Sequence, residues 1–189
     1  MTKKDLEIFR DIPTIYTPRL VLRKIGMGDI DDIYEYATDK RVSEFLLWDP
    51  HRDKDFTRRF VENIEIGYQR LKYHTWGVEF EGKMIGTCGF SAFNLANNSA
   101  EVGYVLSANY WNMGMATEAT KRVLEYGFEV LRLSKIEARF IKENEKSRKV
   151  AQRLEMTHYL TVPLAYIHRS GKRDMEIYHI DRETYNKNK

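Results

Sequence analysis

Residues 100–120 read AEVGYVLSANYWNMGMATEAT, and this stretch decides the fold. An apolar run predicts a strand at about 100–106, and a glycine-containing bend then opens into a helix predicted at about 115–131. The first-turn N–H groups of a helix have no partner inside it, and the helix dipole adds partial positive charge there. The stretch therefore predicts a binding site for a phosphate or pyrophosphate group.

The composition excludes several classes of protein. The chain has 189 residues, of which 42% are hydrophobic, so it can form one domain with a sizeable core. A net charge of +3 is too small to indicate nucleic-acid binding. No signal sequence or membrane span is visible, so we expect a cytoplasmic protein. Cys88 is the single cysteine and the five histidines are scattered, so we expect no disulfide and no metal site.

The order of the predicted elements indicates a mixed sheet. A strand and two helices are followed by three strands within 74–106, which predict an antiparallel meander. A helix then leads to a strand at 134–141, and this crossover predicts a parallel pair. Another helix and two strands complete an α/β fold, with a mostly antiparallel sheet of six to seven strands and helices on both faces. Residues 1–18 predict only an extended arm.

The bend itself resembles a known motif. The run YWNMGMATEA at 110–119 is similar to the acetyl-CoA loop of GNAT N-acetyltransferases, whose usual pattern is Gln/Arg-x-x-Gly-x-Gly/Ala. Trp111, Gly114 and Ala116 stand at the three defining positions. The tryptophan and the Ala-Thr-Glu-Ala that follows are typical of the RimJ/RimL branch, which acetylates N-terminal α-amines of ribosomal proteins. Further marks of that branch occur in order: Thr17-Pro18-Arg19-Leu20, Trp48-Asp49-Pro50-His51, Gly86-x-x-Gly89-Phe90, Glu101-Val102-Gly103-Tyr104, Glu137-Ala138-Arg139 and Asn144-x-x-Ser147.

The resemblance covers about 14–183 and implies one GNAT domain over 1–189, with a splayed central strand pair. It implies acetyl transfer from acetyl-CoA, a co-substrate, to a primary amine such as the N-terminal α-amine of a protein. The alternatives are a small amine acceptor (polyamine, amino acid, antibiotic or toxin) or a CoA-binding module without turnover. Relatives are often dimers, so a monomer or a homodimer is expected. The chain departs from the pattern at Asn112 and Glu155, where the family commonly has glycine.

The resemblance also implies which residues contact acetyl-CoA. The strand end would polarise the thioester carbonyl through a backbone N–H near Leu106, since a preorganised donor stabilises developing negative charge. The bend would bind the pyrophosphate, and the start of the last helix would contact the pantetheine arm. The expected contacts are Val105, Leu106, Ser107, Trp111, Asn112, Met113, Gly114, Met115, Ala116, Thr117, Asn144 and Ser147.

The chemistry also needs proton transfer. An α-amine has a pKa of about 7.7–8.0 and a lysine-type amine about 10.4, so the acceptor arrives mostly protonated. Glu101 is the first candidate base, with a solvated salt-bridged carboxylate as the alternative. His51 is the second, with simple packing as the alternative. Ser147 would protonate the departing CoA thiolate, although Ser147 and Asn144 could equally serve as helix caps.

The acceptor is expected to bind between residues 42–73, the loop at 94–99 and the C-terminal hairpin. Its predicted contacts are aromatic or polar: Trp48, His51, Phe90, Tyr104 and Tyr166. An aromatic lining suits a small or hydrophobic acceptor, but core packing explains the same residues. The sequence does not decide between a peptide and a small amine.

Overall fold

The computed structural model describes residues 12–70, 74–168, 171–187 and 189. Its strands are β1 (Ile15–Tyr16), β2 (Val21–Arg23), β3 (His74–Phe80), β4 (Lys83–Asn94), β5 (Ser99–Leu106), β6 (Lys135–Ile141), β7 (Thr157–His168) and β8 (Gly171–Asp181). Its α-helices are α1 (Ile30–Ala37), α2 (Lys40–Ser43), α3 (Lys54–Gln69), α4 (Met115–Glu129), α5 (Glu145–Arg153) and α6 (Arg182–Lys187). The described part of the acceptor-side segment 42–73 ends at residue 70.

The strands form one sheet in the order β1-β2-β3-β4-β5-β6-β8-β7. Only the β5–β6 pair is parallel among the described strands, which confirms the predicted meander and crossover. The predicted count of six to seven strands is too low, because the described residues alone form a sheet of eight. The additional strand is β1, within the expected arm, where Ile15 is buried and pairs with Leu22 of β2.

Helices cover both faces of the sheet, as predicted. Adjacent strand residues face opposite ways, so Met84 and Val105 pack into one core while Ile85 and Leu106 pack into the other. Helices α1 and α3 cover the first face. Helices α4 and α5 cover the second face, which holds the larger core.

The centre of the sheet opens where β5 and β6 separate. Their ladder runs from the pair Ser99 and Lys135 to the pair Val102 and Ala138, although both strands continue beyond it. On the other side of β5, the N–H of Ser107 donates to the carbonyl of Ile85 at 2.8 Å. Antiparallel hydrogen bonds alternate in direction, so the N–H of Leu106 points away from β4 and into the gap. This is the splayed pair that the resemblance implies.

Both departures from the family pattern adopt the backbone conformation that glycine favours. Asn112 has φ of 62° and Glu155 has φ of 59°. At the end of α5, the N–H of Met156 donates to the carbonyl of Ala151 at 3.0 Å. The helix therefore terminates in left-handed geometry without glycine, at a cost of roughly 1–2 kcal/mol. None of the described helices is long and apolar enough to cross a membrane.

Candidate active site

The bend between β5 and α4 presents backbone donors rather than side chains. Gly114 has φ of 77°, a left-handed conformation, and serves as the N-cap of α4. The first intrahelical bond runs from the N–H of Glu118 to the carbonyl of Gly114 at 3.0 Å. The N–H groups of Met115, Ala116 and Thr117 precede that bond, so they remain for an anion at the helix N-terminus.

The segment before β2 holds this bend in place. Arg19 donates from Nε to Glu118 Oε2 at 2.7 Å and from Nη1 to the carbonyl of Met113 at 2.9 Å. Thr17 adds a hydrogen bond to Glu118 Oε1 at 2.6 Å. Partial burial raises the pKa of Glu118, but the bonds from Thr17 and Arg19 outweigh it and hold that pKa below its ordinary value. We call this contact set the Arg19 clamp.

A cleft of about 420 Å³ opens beside the bend, and we call it the loop cleft. Ten of the twelve predicted cofactor contacts line it: Val105, Leu106, Trp111, Asn112, Gly114, Met115, Ala116, Thr117, Asn144 and Ser147. Ser107 is buried, with its N–H bonded to β4, and it does not line the cleft. Met113 is exposed, and its carbonyl serves the Arg19 clamp instead.

The loop cleft fits a phosphate-bearing cofactor. Thr117 Oγ1, in the first turn of α4, is buried and has no hydrogen-bond partner in the described part of the chain. Trp111 Nε1 donates to the carbonyl of Leu106 at 2.9 Å, and Lys146 Nζ lies 3.5 Å from the centroid of the Trp111 ring. Four cationic side chains line the cleft: Arg41, Lys146, Lys149 and Arg153.

A second cleft of about 240 Å³ lies on the sheet face that carries α1 and α3, and we call it the sheet cleft. Its floor includes Thr87 and Gly103, and Tyr166 of β7 stands in its wall. The Tyr166 hydroxyl donates to the carbonyl of Phe45 at 3.5 Å, which links the C-terminal hairpin to the segment after α2. Six residues line both clefts: Phe45, Leu46, Tyr104, Val105, Asn144 and Ser147.

Two residues that carry hydroxyl groups, Tyr104 and Ser147, line both clefts. Tyr104 OH donates to the carbonyl of Ser147 at 3.2 Å, and burial raises the Tyr104 pKa, so this phenol stays protonated at neutral pH. The N–H of Ser147 donates to Asn144 Oδ1 at 3.1 Å. Asn144 thus caps α5, the alternative role considered for it, and also faces both clefts.

Glu101 lies beside the sheet cleft, next to two residues of its wall. Its carboxylate accepts a long hydrogen bond of 3.4 Å from Ser91 Oγ and lies 3.4 Å from Arg139 Nε. Burial raises the pKa of Glu101, although Arg139 and Ser91 act in the opposite direction. Burial also raises the pKa of Tyr166 to about 12, and the nearby Glu101 charge contributes. Glu101 is therefore a partly desolvated carboxylate within reach of the acceptor side.

Three predicted acceptor contacts lie outside both clefts. His51 is buried, with Nδ1 2.9 Å from Thr57 Oγ1, and its ring packs against Trp48. Phe90 is fully buried in the core on the α4 face. Its neighbour Gly89 lines the sheet cleft, because successive strand residues face opposite sides. Neither Trp48, His51 nor Phe90 lines either cleft, whereas Tyr104 and Tyr166 do.

A protein-family model matches most of the chain. The model of the Acetyltransferase (GNAT) domain matches residues 19–157. The chain belongs to the GNAT acetyltransferases. It is 34% identical over 144 residues to an uncharacterized N-acetyltransferase, p20, of Bacillus licheniformis, which covers 75% of this chain and 80% of the relative. This GNAT chain is accordingly an acetyltransferase enzyme of a family that uses acetyl-CoA.

Two further relatives differ in the acceptor that their names give. The spermidine N(1)-acetyltransferase of Escherichia coli is 32% identical over 136 residues, covering 70% of each chain. The structure of RimL, a ribosomal L7/L12 α-N-protein acetyltransferase in complex with coenzyme A, has a TM-score of 0.82. RimL is 18% identical, and the match covers 91% of this chain and 99% of the RimL chain. That likeness concerns the fold.

Proposed function

We propose that this GNAT acetyltransferase transfers the acetyl group of acetyl-CoA to a primary amine bound in the sheet cleft. The observation that carries the proposal is the junction of the two clefts at the gap between β5 and β6. Transfer requires the two substrates to meet in a fixed geometry, and fixed geometry can supply much of the acceleration. The shared wall at Tyr104, Val105 and Ser147 is where they would meet.

The chain would hold the donor mainly through its backbone. When bound, acetyl-CoA supplies the thioester and an anionic pyrophosphate. The first-turn N–H groups of α4, the Thr117 hydroxyl and the cations of the loop cleft suit that anion. The N–H of Leu106 points into the gap, where it can donate to the thioester oxygen as negative charge develops there.

On the acceptor side, Glu101 would take the proton of the ammonium, directly or through water. The free amine would then form the new C–N bond as the C–S bond breaks, and the sulfur would leave with the electron pair. The nitrogen would lose its second proton in this step, and that proton balances the one that the sulfur gains to become the CoA thiol. Ser147 would donate a proton or a hydrogen bond to that sulfur. The Tyr104 hydroxyl lies at the same junction, and it would be a second donor to the sulfur if it left the carbonyl of Ser147.

The acceptor class divides into two candidates. A protein N-terminus agrees with the RimJ/RimL-type motifs and with the name of RimL. A small amine agrees with the name of the spermidine acetyltransferase. The volume of about 240 Å³ and the link between Tyr166 and Phe45 favour the small amine, because a peptide needs an open groove.

A thiol-release assay with acetyl-CoA, N-terminal peptides and small amines tests the proposal. We expect free CoA thiol with at least one small amine, and mass spectrometry should find the acetyl group on that amine. Release with peptides alone would identify a protein N-terminus as the acceptor. Tight acetyl-CoA binding without release from any amine would instead indicate a CoA-binding module.

A further inference from the structure

We infer that the acceptor carries a carboxylate close to its amine, as a small amino acid does, and that Arg139 binds this carboxylate. The inference rests on the proposed function in one respect, that the sheet cleft holds the acceptor. It names the chemical class of the acceptor, which the family resemblance leaves open.

The charge of the sheet cleft is the first observation. Arg139 is the one charged side chain that lines it within the described residues. The other polar groups of the wall are neutral, and they include the hydroxyls of Thr75, Thr87, Ser91 and Tyr166. A polyamine is recognised by several carboxylates, whereas the carboxylates beside this wall, Glu101 and Glu137, both lie against Arg139 and do not line the cleft. The lining therefore favours an acceptor with an anionic group over one with several cationic groups.

The free capacity of Arg139 is the second observation. Its Nη2 donates to Glu137 Oε2 at 2.9 Å, and Lys135 also binds Glu137, at 2.6 Å. The 3.4 Å between Arg139 Nε and Glu101 exceeds ordinary charge-assisted hydrogen-bond lengths. Nη1 has no hydrogen-bond partner among the described residues, and 41% of the side chain is exposed. The guanidinium thus keeps donors that an incoming carboxylate can take.

The floor of the sheet cleft is the third observation. A Cβ atom added to Gly103 would meet no atom within 4 Å, so the floor between Glu101 and Val105, its neighbours on this face, is bare. The last β5–β6 pair joins Val102 and Ala138, which places Arg139 one residue farther along, level with Gly103. One strand residue spans about 3.3 Å, so Arg139 lies close to the junction where the amine would react. A carboxylate a few atoms from the amine fits this spacing.

Matched pairs of amines test the inference by binding alone. Calorimetry on the CoA-saturated protein would compare leucine with isopentylamine and phenylalanine with phenethylamine, which differ only in the carboxylate. We expect the acid-bearing member to bind at least about tenfold more tightly, as expected for a charged hydrogen bond. Arg139→Gln should reduce this ratio to about one, and Arg139→Lys should leave an intermediate ratio, because lysine keeps the charge but loses the fork.

Arg122→Gln is the matched control, since Arg122 pairs with Glu125 on α4 and does not line the sheet cleft. It should leave the ratio unchanged. The ratio is measured within each variant, so a general loss of stability affects both members alike. Equal binding of both members, no measurable binding of either, or tighter binding of spermidine or of an N-terminal peptide would overturn the inference.

Thiol release with the same pairs separates this inference from the proposed function. A binding preference for the amino acid without release from any amine would refute acetyl transfer and leave the inference standing. Release that is equally fast with both members, together with equal binding, would refute the inference and leave acetyl transfer standing.

Discussion

The loop cleft and the sheet cleft meet at one junction but are built differently. The loop cleft depends on backbone geometry within one short stretch, where Asn112 and Gly114 take left-handed conformations. The sheet cleft depends on side chains that come from separate parts of the chain, among them Phe45, Arg139 and Tyr166. A contiguous backbone motif leaves a readable pattern in the sequence, whereas a convergent set of side chains does not.

This difference predicts that the loop cleft and the sheet cleft have separate roles. Donors from the backbone can hold an invariant anion whatever side chains surround them. Side chains in the sheet cleft can change the acceptor without disturbing the donor site. Substitutions in the loop should therefore alter acetyl-CoA affinity, and substitutions beside the sheet cleft should alter turnover or acceptor preference.

The largest effect is expected for Gly114→Val. The φ of 77° at Gly114 is strained for any L-residue and most strained for a β-branched one. The bend would have to rearrange, and the first-turn N–H groups of α4 would no longer point at the same anion. We expect acetyl-CoA affinity to fall by about a hundredfold or more, measured by calorimetry, because several charge-assisted hydrogen bonds are lost together.

Gly28→Val is the control for this substitution. Gly28 has no positive φ, and a Cβ atom there would meet nothing within 4 Å. This variant should bind acetyl-CoA as the original chain does. If Gly114→Val kept its affinity while remaining folded, the assignment of the anion to the bend would be wrong.

Glu101→Gln should have the next largest effect, on turnover rather than on acetyl-CoA affinity. General-base catalysis typically contributes about 10²–10⁴-fold, and water can replace part of it, so we expect kcat to fall by about a hundredfold. Burial raises the pKa of Glu101, and a base must be deprotonated. The acid limb of the kcat/KM profile should therefore lie above about 4.3, the ordinary glutamate value. Glu101→Gln should remove that limb.

Thermal unfolding provides the control for Glu101→Gln. A carboxyl whose folded-state pKa is raised stabilises the fold below its unfolded-state pKa, and this contribution disappears as pH rises through the folded-state pKa. Glutamine is neutral throughout, so the Tm of the variant at pH 7 should equal or exceed that of the original chain. Unchanged turnover at neutral pH would remove Glu101 from the mechanism.

More of the predicted residues line the loop cleft than line the sheet cleft, for physical reasons. The turn from β5 into α4 is local, so its residues identify it directly. Phe90 lies away from the sheet cleft because the alternation of β4 turns it into the core and leaves Gly89 at the cleft. His51 lies away from it because neighbouring aromatic rings and Thr57 bury it. Periodicity shows which residues share a face, but it does not show which face carries the site.

The Arg19 clamp has the weakest sequence signal of all. Arg19 and Glu118 are 99 residues apart, and nothing in their spacing indicates contact. The run Thr17-Pro18-Arg19-Leu20 therefore appears in the sequence only as part of a family resemblance. The structure gives it a role, because it positions both Glu118 and the carbonyl of Met113.

Arg19→Gln should produce the smallest of these effects, a loss of about tenfold in acetyl-CoA affinity by calorimetry, since about one or two exposed charged hydrogen bonds are removed. Saturating acetyl-CoA should restore kcat, because the clamp touches neither substrate. Lys54→Gln, which breaks the exposed pair between Lys54 and Asp31 far from the bend, is the control and should leave acetyl-CoA affinity unchanged.

The pH dependence of acetyl-CoA affinity tests whether the contacts between Arg19 and Glu118 support acetyl-CoA binding. The lowered pKa of Glu118 means that its contribution is complete above the ordinary glutamate value and disappears only as pH falls through the depressed one. The clamp should therefore hold through the neutral and mildly acidic range. The contrary result is that Arg19→Gln lowers kcat at saturating acetyl-CoA and leaves acetyl-CoA affinity unchanged. The Arg19 clamp would then act on the reaction and not on the donor site, and the proposed separation between a donor site formed by backbone and an acceptor site formed by side chains would be wrong.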